Sequence, residues 1–299
     1  MKTLFFANLF LILGITAASA QVKLSFNPPK GAKYEYQTET ISNVKQSVMG
    51  QEIPMEQVMN MTYLMEIKDK TPQEIQAQLT YKDMAYSVSS PMIKISYDSK
   101  KPAENPSEMD KAAERAFSNL INKSFLIVFA PDGSVKSVKE LETTTGSAAN
   151  IASANWQVDA QMAAQINQQY GEDAMKNLFE QSFKIYPANA VKAGDTWNIE
   201  GAITIANMNA KHKTKYTLKE VNRNMATVAM EADFETDMGA MMEGKITGSQ
   251  TGAMIINTDT GLHVTGDMTQ NGIGILKMQG MDVQMELTSK SKVLIKEIK

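Results

Sequence analysis

The chain of 299 residues contains no cysteine. Disulfide staples, thiol catalysis and thiolate metal sites are therefore excluded, as is an acylated cysteine behind a leader. Histidine is almost as scarce: His212 and His263 are the only two, and they stand in no metal-ligand spacing. No Gly-x-Ser-x-Gly elbow and no phosphate-cradling glycine loop occurs. Positive charge is not in excess either. The formal net charge is −3, which argues against polyanions and leaves no footprint for nucleic acid. The two tryptophans, Trp156 and Trp197, lie far apart at expected element starts, a placement that suits core anchors better than a sugar-stacking pair.

Long apolar runs are confined to the start of the chain. Lys2, the stretch from Leu4 to Ile15 and the small residues Ala18-Ser19-Ala20 form the three zones of a secretory signal, with cleavage expected before Gln21. That stretch is shorter than the roughly 20 residues a bilayer crossing needs, and no later segment is long and apolar enough for one. The expected product is periplasmic or secreted. Loss of Lys2 takes its formal charge from −3 to −4.

What the remainder has is alternation. Met59, Met61, Tyr63, Met65 and Ile67 are apolar at every second position, with Asn60, Thr62, Glu66 and Lys68 between them and Leu64 as the exception. This is the pattern of a half-buried strand. A turn around Lys70-Thr71-Pro72 leads to Ile75, Ala77, Leu79 and Tyr81, completing a hairpin. Tyr34 with Tyr36, and Ile93 with Ile95 and Tyr97, mark further strands. Ser107 with Asp110 caps an expected helix whose apolar face is Met109, Ala113, Ala116, Phe117 and Leu120. Phe125 to Phe129, Pro131-Asp132-Gly133 and Val135 then make a second hairpin.

From Ser147 to Phe183 the texture turns helical, with Met162, Ile166 and Tyr170, then Met175, Leu178, Phe179 and Phe183, at helical spacing and Gly171 between the two sets. In the second half, Tyr216, Leu218, Val228, Met230, Ala232 and Phe234 alternate about Asn222-Arg223-Asn224. Pairing Asn222 with Asn224 sets Lys215 against Glu231, Lys213 against Asp233 and Lys211 against Glu235. Each such pair contributes only about 0.2 to 1 kcal/mol, but together they fix the register. Further strands follow around Ile255-Ile256 and Val264 to Met268, with turns expected at Asp259-Thr260-Gly261 and Asn271-Gly272. Last come Met281, Val283, Met285 and Leu287, then Val293 to Ile298.

The expected fold is mainly β: a large curved antiparallel sheet or open half-barrel, as one unit or as two related halves, with a helical connector. The expected divisions are a leader 1–20, an N-terminal β-rich half 21–146 with one helix, the connector 147–190 and a C-terminal antiparallel half 191–299. The early Gly31-Ala32-Lys33-Tyr34, the Pro131-Asp132-Gly133-Ser134-Val135 turn, the mid-chain Gly194-Asp195-Thr196-Trp197 and the Thr260-Gly261 turn after Asp259 together resemble a family of exported Bacteroidetes proteins catalogued as domain of unknown function 6263. The resemblance implies a β-rich envelope protein and supplies no active site.

Three functional readings remain. Methionine is abundant, at 22 residues. On apolar strand faces it fills cores, lines adaptable hydrophobic cavities, or offers thioethers to Cu(I). The preferred reading is a non-catalytic protein that binds an apolar small molecule or an envelope partner on a concave, methionine-lined face. Met59, Met61, Tyr63, Met65, Met230, Phe234, Met281 and Met285 are its candidate contacts, and no cofactor is called for. The second reading is a periplasmic Cu(I) binder built on the methionine clusters, of which Met238, Met241 and Met242 are the most exposed candidates. The third is a hydrolase using Glu231, Asp233, Glu235 and Asp237, four carboxylates on one side of a strand that suit either acid–base work or a solvated face paired with lysines.

Overall fold

A computed structural model describes residues 21–48, 50–141, 171–205, 208–237, 243–278 and 281–298. The expected leader, the first part of the expected helical connector with Trp156, Met162, Ile166 and Tyr170, and the segment with Met238, Met241 and Met242 lie outside the described residues. The strands are β1 Lys33–Val48, β2 Gln51–Lys70, β3 Ile75–Ser89, β4 Lys94–Asp98, β5 Ser124–Phe129 and β6 Val135–Leu141, then β7 Thr196–Ile205, β8 Met208–Asn222, β9 Met225–Asp237, β10 Glu243–Asn257, β11 His263–Met278 and β12 Met281–Ile298. Two helices accompany them, α1 Glu108–Ser118 and α2 Glu172–Phe183. As the alternation predicts, the strands form one antiparallel sheet, in the order β6-β5-β3-β2-β1-β12-β11-β10-β9-β8-β7 with β4 beside β3. The first and last strands thus meet at its centre, joining the earlier and later hairpins into one surface.

The sheet is unclosed but rolled. In a flat sheet β2 and β8 would stand about 29 Å apart, six steps of roughly 4.8 Å, yet residues of both line a single cavity. Glycine permits part of this curl. Gly248, Gly252, Gly266, Gly272 and Gly274 all fall on the concave face of β10 and β11, where Gly248 opposes Gly272 and Phe234. A Cβ on Gly272 would lie 3.2 Å from the Phe234 ring. This corrects one expectation. Asn271-Gly272 is no turn but the middle of β11, because the missing side chain makes room for Phe234 rather than for a reversal. Asp259-Thr260-Gly261 does turn, with Gly261 at φ +74°.

The far ends are joined by α2. Its Glu180 accepts the Val135 N–H at 2.5 Å and its Glu172 accepts the Glu140 N–H at 2.6 Å, which satisfies two backbone donors of the edge strand β6. Just beyond the helix, the carbonyl of Ile185 accepts the Trp197 indole N–H of β7 at 2.7 Å. The helix therefore spans the gap between the two sheet edges. Its apolar side, Met175, Phe179 and Phe183, is buried. Phe179 stacks on Phe183, and both lie against Tyr36 and Phe129, with Phe26 of the N-terminal segment closing this end of the roll. Helix α1 carries the expected Ser107–Asp110 capping box and buries Ala113, Ala116 and Phe117, the last between Tyr86 and Tyr97. Met109, expected on that face, is 38% exposed.

Candidate functional site

Register decides which side chains share the concave face. Tyr36 faces Tyr63 and Ile295, Thr38 faces Met61 and Val293, and Thr40 faces Met59 and Ser291. Across the other half, Met254 faces Val228, Met230 faces Tyr216 and Phe234 faces His212. Between this surface and α2 lies a cavity of about 500 Å³, within the roughly 300 to 1,000 Å³ of small-molecule sites. It runs along β8 from Tyr216 to Ala210 and along β9 from Met230 to Thr236, six residue steps or about 20 Å of strand. Helix α2 contributes Met175, Leu178 and Ser182 as its roof.

Of the sequence-predicted contacts, Met59, Met61, Tyr63, Met230 and Phe234 line this cavity. Met65 does not: it is fully buried one row below, beside Tyr34 and Leu79. Met281 and Met285 sit on the concave side by register but at the opposite end of β12, where Met281 is 37% exposed and Met285 faces Gln46 and Gly274. Sequence reasoning did not name Tyr36, Thr40, Met254 or Met268 as contacts, and took the segment holding Met175 and Leu178 first as a connector and only second as a lid over a cavity. Each is one alternating position in a strand or helix that it had located, but only the roll of the sheet brings them together.

Sulfur and hydroxyl groups in the wall largely satisfy one another. Tyr63 donates to the Met61 sulfur at 3.3 Å, Tyr81 to that of Met175 at 2.9 Å, and the Gln250 amide to that of Met268. Thr40 and Ser291 share a hydrogen bond at 3.0 Å, and His212 Nδ1 meets Thr214 Oγ1 at 3.2 Å. Burial, and then the charge of Lys184, hold the His212 imidazole below its usual value. Burial also pushes the Tyr36 phenol up to about 12, against the effect of its hydrogen bond with Ser182.

His263, at the start of β11, is the exception. Its ring lies between Tyr36 and Phe183, at centroid distances of 5.9 and 5.3 Å. Burial pushes its imidazole down to about 4, so it is neutral near pH 7. Among the described residues only its Nδ1 and the Tyr34 hydroxyl are buried side-chain polar atoms without a hydrogen-bond partner.

The carboxylates of β9 stand elsewhere. The register pairs Lys215 with Glu231, Lys213 with Asp233 and Lys211 with Glu235, as the charge pattern predicts. These alternate with Met230 and Phe234 and so occupy the convex face. The ion pairs formed there are Lys215–Glu231 at 3.9 Å, Lys245–Glu235 at 2.6 Å and Lys213–Glu200 at 3.1 Å. Glu231, Asp233 and Glu235 line no part of the cavity. Among the described residues no group of three or more His, Asp or Glu is arranged to hold a metal ion, and no helix is long and apolar enough to cross a membrane.

Comparison with curated proteins finds no match. Among solved structures, lipovitellin, described for its lipid–protein interactions, is similar over 91% of this chain and 25% of its own, at 12% identity and a TM-score of 0.45. OpdD of Pseudomonas aeruginosa is similar over 90% of this chain and all of its own, at 8% identity and a TM-score of 0.25. An outer membrane channel of Pseudomonas putida is similar over 90% of this chain and 96% of its own, at 8% identity and a TM-score of 0.22. These scores are too low to bear on function. The model of the Family of unknown function (DUF6263) matches residues 72–263, well over half of the sequence, and the chain belongs to that family.

Proposed function

We propose that this chain is an exported, non-catalytic protein of the periplasm or cell exterior that holds an apolar small molecule between its concave face and α2. One observation carries this reading: the cavity of about 500 Å³ whose wall combines methionine and aromatic side chains with a few convergent polar groups. Methionine suits an adaptable wall because its unbranched, polarisable side chain repacks around different shapes. Export rests on Lys2, the apolar stretch Leu4 to Ile15 and Ala18-Ser19-Ala20. Native mass spectrometry of protein purified from its own compartment, with uptake of the neutral fluorophore N-phenyl-1-naphthylamine by the stripped protein, tests the reading. A ligand-bound mass and saturable uptake are expected. A clean apo mass together with no uptake overturns it.

Met59, Met61, Met175, Met230, Met254 and Met268 converge on one space, which keeps a Cu(I) role as the second reading. Weighing against it, the sulfurs of Met61, Met175 and Met268 already accept hydrogen bonds. Competition with bicinchoninate separates the two, since a pure apolar carrier leaves the copper with the chelator.

A further inference from the structure

We infer that the molecule held here is uncharged and carries an ester or amide carbonyl, which is bound by the side-chain amides of Gln250 and Gln270. The inference rests on the carrier reading above and names the ligand's chemistry. By register, Gln57, Ser42, Ser289, Gln270, Gln250 and Thr214 form one line across the concave face from β2 to β8, broken only by Ala232 of β9. Every polar residue in the line is neutral. The adjoining rows are mainly apolar, with Met59, Met268 and Met230 on the Tyr36 side and Met55, Leu287 and Phe234 on the other. The cavity crosses this line: its wall reaches Tyr36 in one direction and Ala210 in the other, and includes Gln250, Gln270 and Thr214 between them. A ligand lying along the cavity therefore passes the two glutamines with apolar surroundings before and after them.

The hydroxyls of the line are already paired, Ser42 with Ser289 at 2.9 Å and Thr214 with the His212 ring at 3.2 Å. The glutamines are less well provided. The Gln250 amide donates to the Met268 sulfur, a weak acceptor, and the Gln270 side chain has no hydrogen-bond partner among the described residues. Neither is sealed off. The buried side-chain polar atoms without a partner belong to Tyr34 and His263 alone among the described residues, so the unpartnered atoms of Gln270 and the Gln250 carbonyl oxygen keep accessible surface, and both residues stand in the cavity wall. A glutamine amide offers two N–H donors and an acceptor oxygen. A ligand carbonyl takes the donors better than a thioether does, and a ligand amide N–H serves the oxygen. A carboxylate would instead need a cation, and the concave wall offers none among the described residues. Lys292 and Asp267 border the cavity, but they pair with each other in register, alternate with the concave Ser291 and Met268, and are both exposed. A buried anion here would lack the pairing that makes such burial tolerable.

The test is displacement of N-phenyl-1-naphthylamine from the full-length protein at pH 7 by hexyl hexanoate, dihexyl ether and dodecanoate. The ether has the ester's chain length without its carbonyl, and dodecanoic acid is an isomer of the ester that is ionised at this pH. The ester is expected to compete at about tenfold lower concentration than either, the factor that corresponds to ~1.4 kcal/mol. The double change Gln250→Leu with Gln270→Leu should erase its lead over the ether while the fluorophore still binds. Gln270→Met, which keeps the side chain's length and removes its amide, should lose part of that lead and serves where the double variant does not fold. Equal competition by ester and ether in the wild type, an undiminished lead in the variants, or dodecanoate competing as well as the ester overturns the assignment while leaving the carrier reading intact. Failure of the fluorophore to bind at all removes both.

Discussion

Replacing His263 with leucine should flatten the acid limb of the stability profile. The folded imidazole is pushed down to about 4 by burial alone, whereas the unfolded one titrates near 6.5. Between those values the unfolded chain binds a proton that the folded chain refuses. Stability therefore falls as pH falls through that window, the sign given by proton linkage. At ~1.4 kcal/mol per pH unit the full loss is about 3 kcal/mol, most of which has accrued by pH 4.5. Other groups titrate in the same range, so the quantity to measure is the difference between wild type and variant. Urea unfolding followed by tryptophan fluorescence at pH 7.5 and pH 4.5 gives it. The wild type should lose about 2 to 3 kcal/mol more than His263→Leu on acidification. If the two proteins lose the same amount, His263 is not buried as a neutral ring.

Three further substitutions probe the architecture. Gly133→Ala places a side chain at φ +81°, against the Phe183 carbonyl, and should cost more than about 2 kcal/mol in a urea titration. A near-neutral result would show that the β5–β6 turn does not pack beneath α2. Met230→Trp adds bulk to the cavity wall, so the N-phenyl-1-naphthylamine signal at saturation should fall by at least about half while the melting temperature holds within a few degrees; unchanged capacity would place the probe elsewhere. The double change Glu231→Gln with Asp233→Asn touches only exposed convex positions and should shift stability by less than about 1 kcal/mol with uptake unchanged. Lost uptake would mean that these carboxylates reach the cavity after all.

Local pattern made the strands legible. The lysine row Lys211, Lys213 and Lys215 locates its partners on β9 to the residue, because a slip by one would put charge on the buried face. Met59, Met61 and Tyr63 are identifiable as one face for the same reason. The cavity was less accessible, since it depends on curvature summed over many strands, and no single strand carries that information. Its nearest trace is the spacing of Gly248, Gly252, Gly266, Gly272 and Gly274, all at even positions and so all on one face. An Asn-Gly pair has a strong hairpin bias, and the flanking alternation does not reveal that Phe234, two strands away, needs the space above Gly272. His263 was hidden differently. A histidine beside a turn is ordinarily a surface or packed residue, and only the aromatic cluster from α2 and β1 makes it a buried, unpartnered one.

The cavity also sets an energetic condition on the fold. A dry void of 500 Å³ would cost on the order of 12 kcal/mol at ~24 cal/mol per Å³, as much as the whole stability of an ordinary domain. Repacking could have abolished it, since alanine or valine on β10 and β11 would flatten the curl and larger residues at Thr38 or Thr40 would fill the space. The chain instead keeps glycine on the inside of the bend and ties α2 across the gap through Glu172, Glu180 and Ile185. Water can occupy such a space only where it finds polar partners, and much of this wall offers methionine and aromatic carbon. Those restraints hold open a volume whose wall, on the reading proposed above, suits an apolar occupant. A protein so built should therefore gain stability from its ligand by mass action. Dodecanol at a hundred times its dissociation constant should raise the unfolding free energy by about 2.7 kcal/mol, and a chain indifferent to saturating alcohol would not be using this cavity.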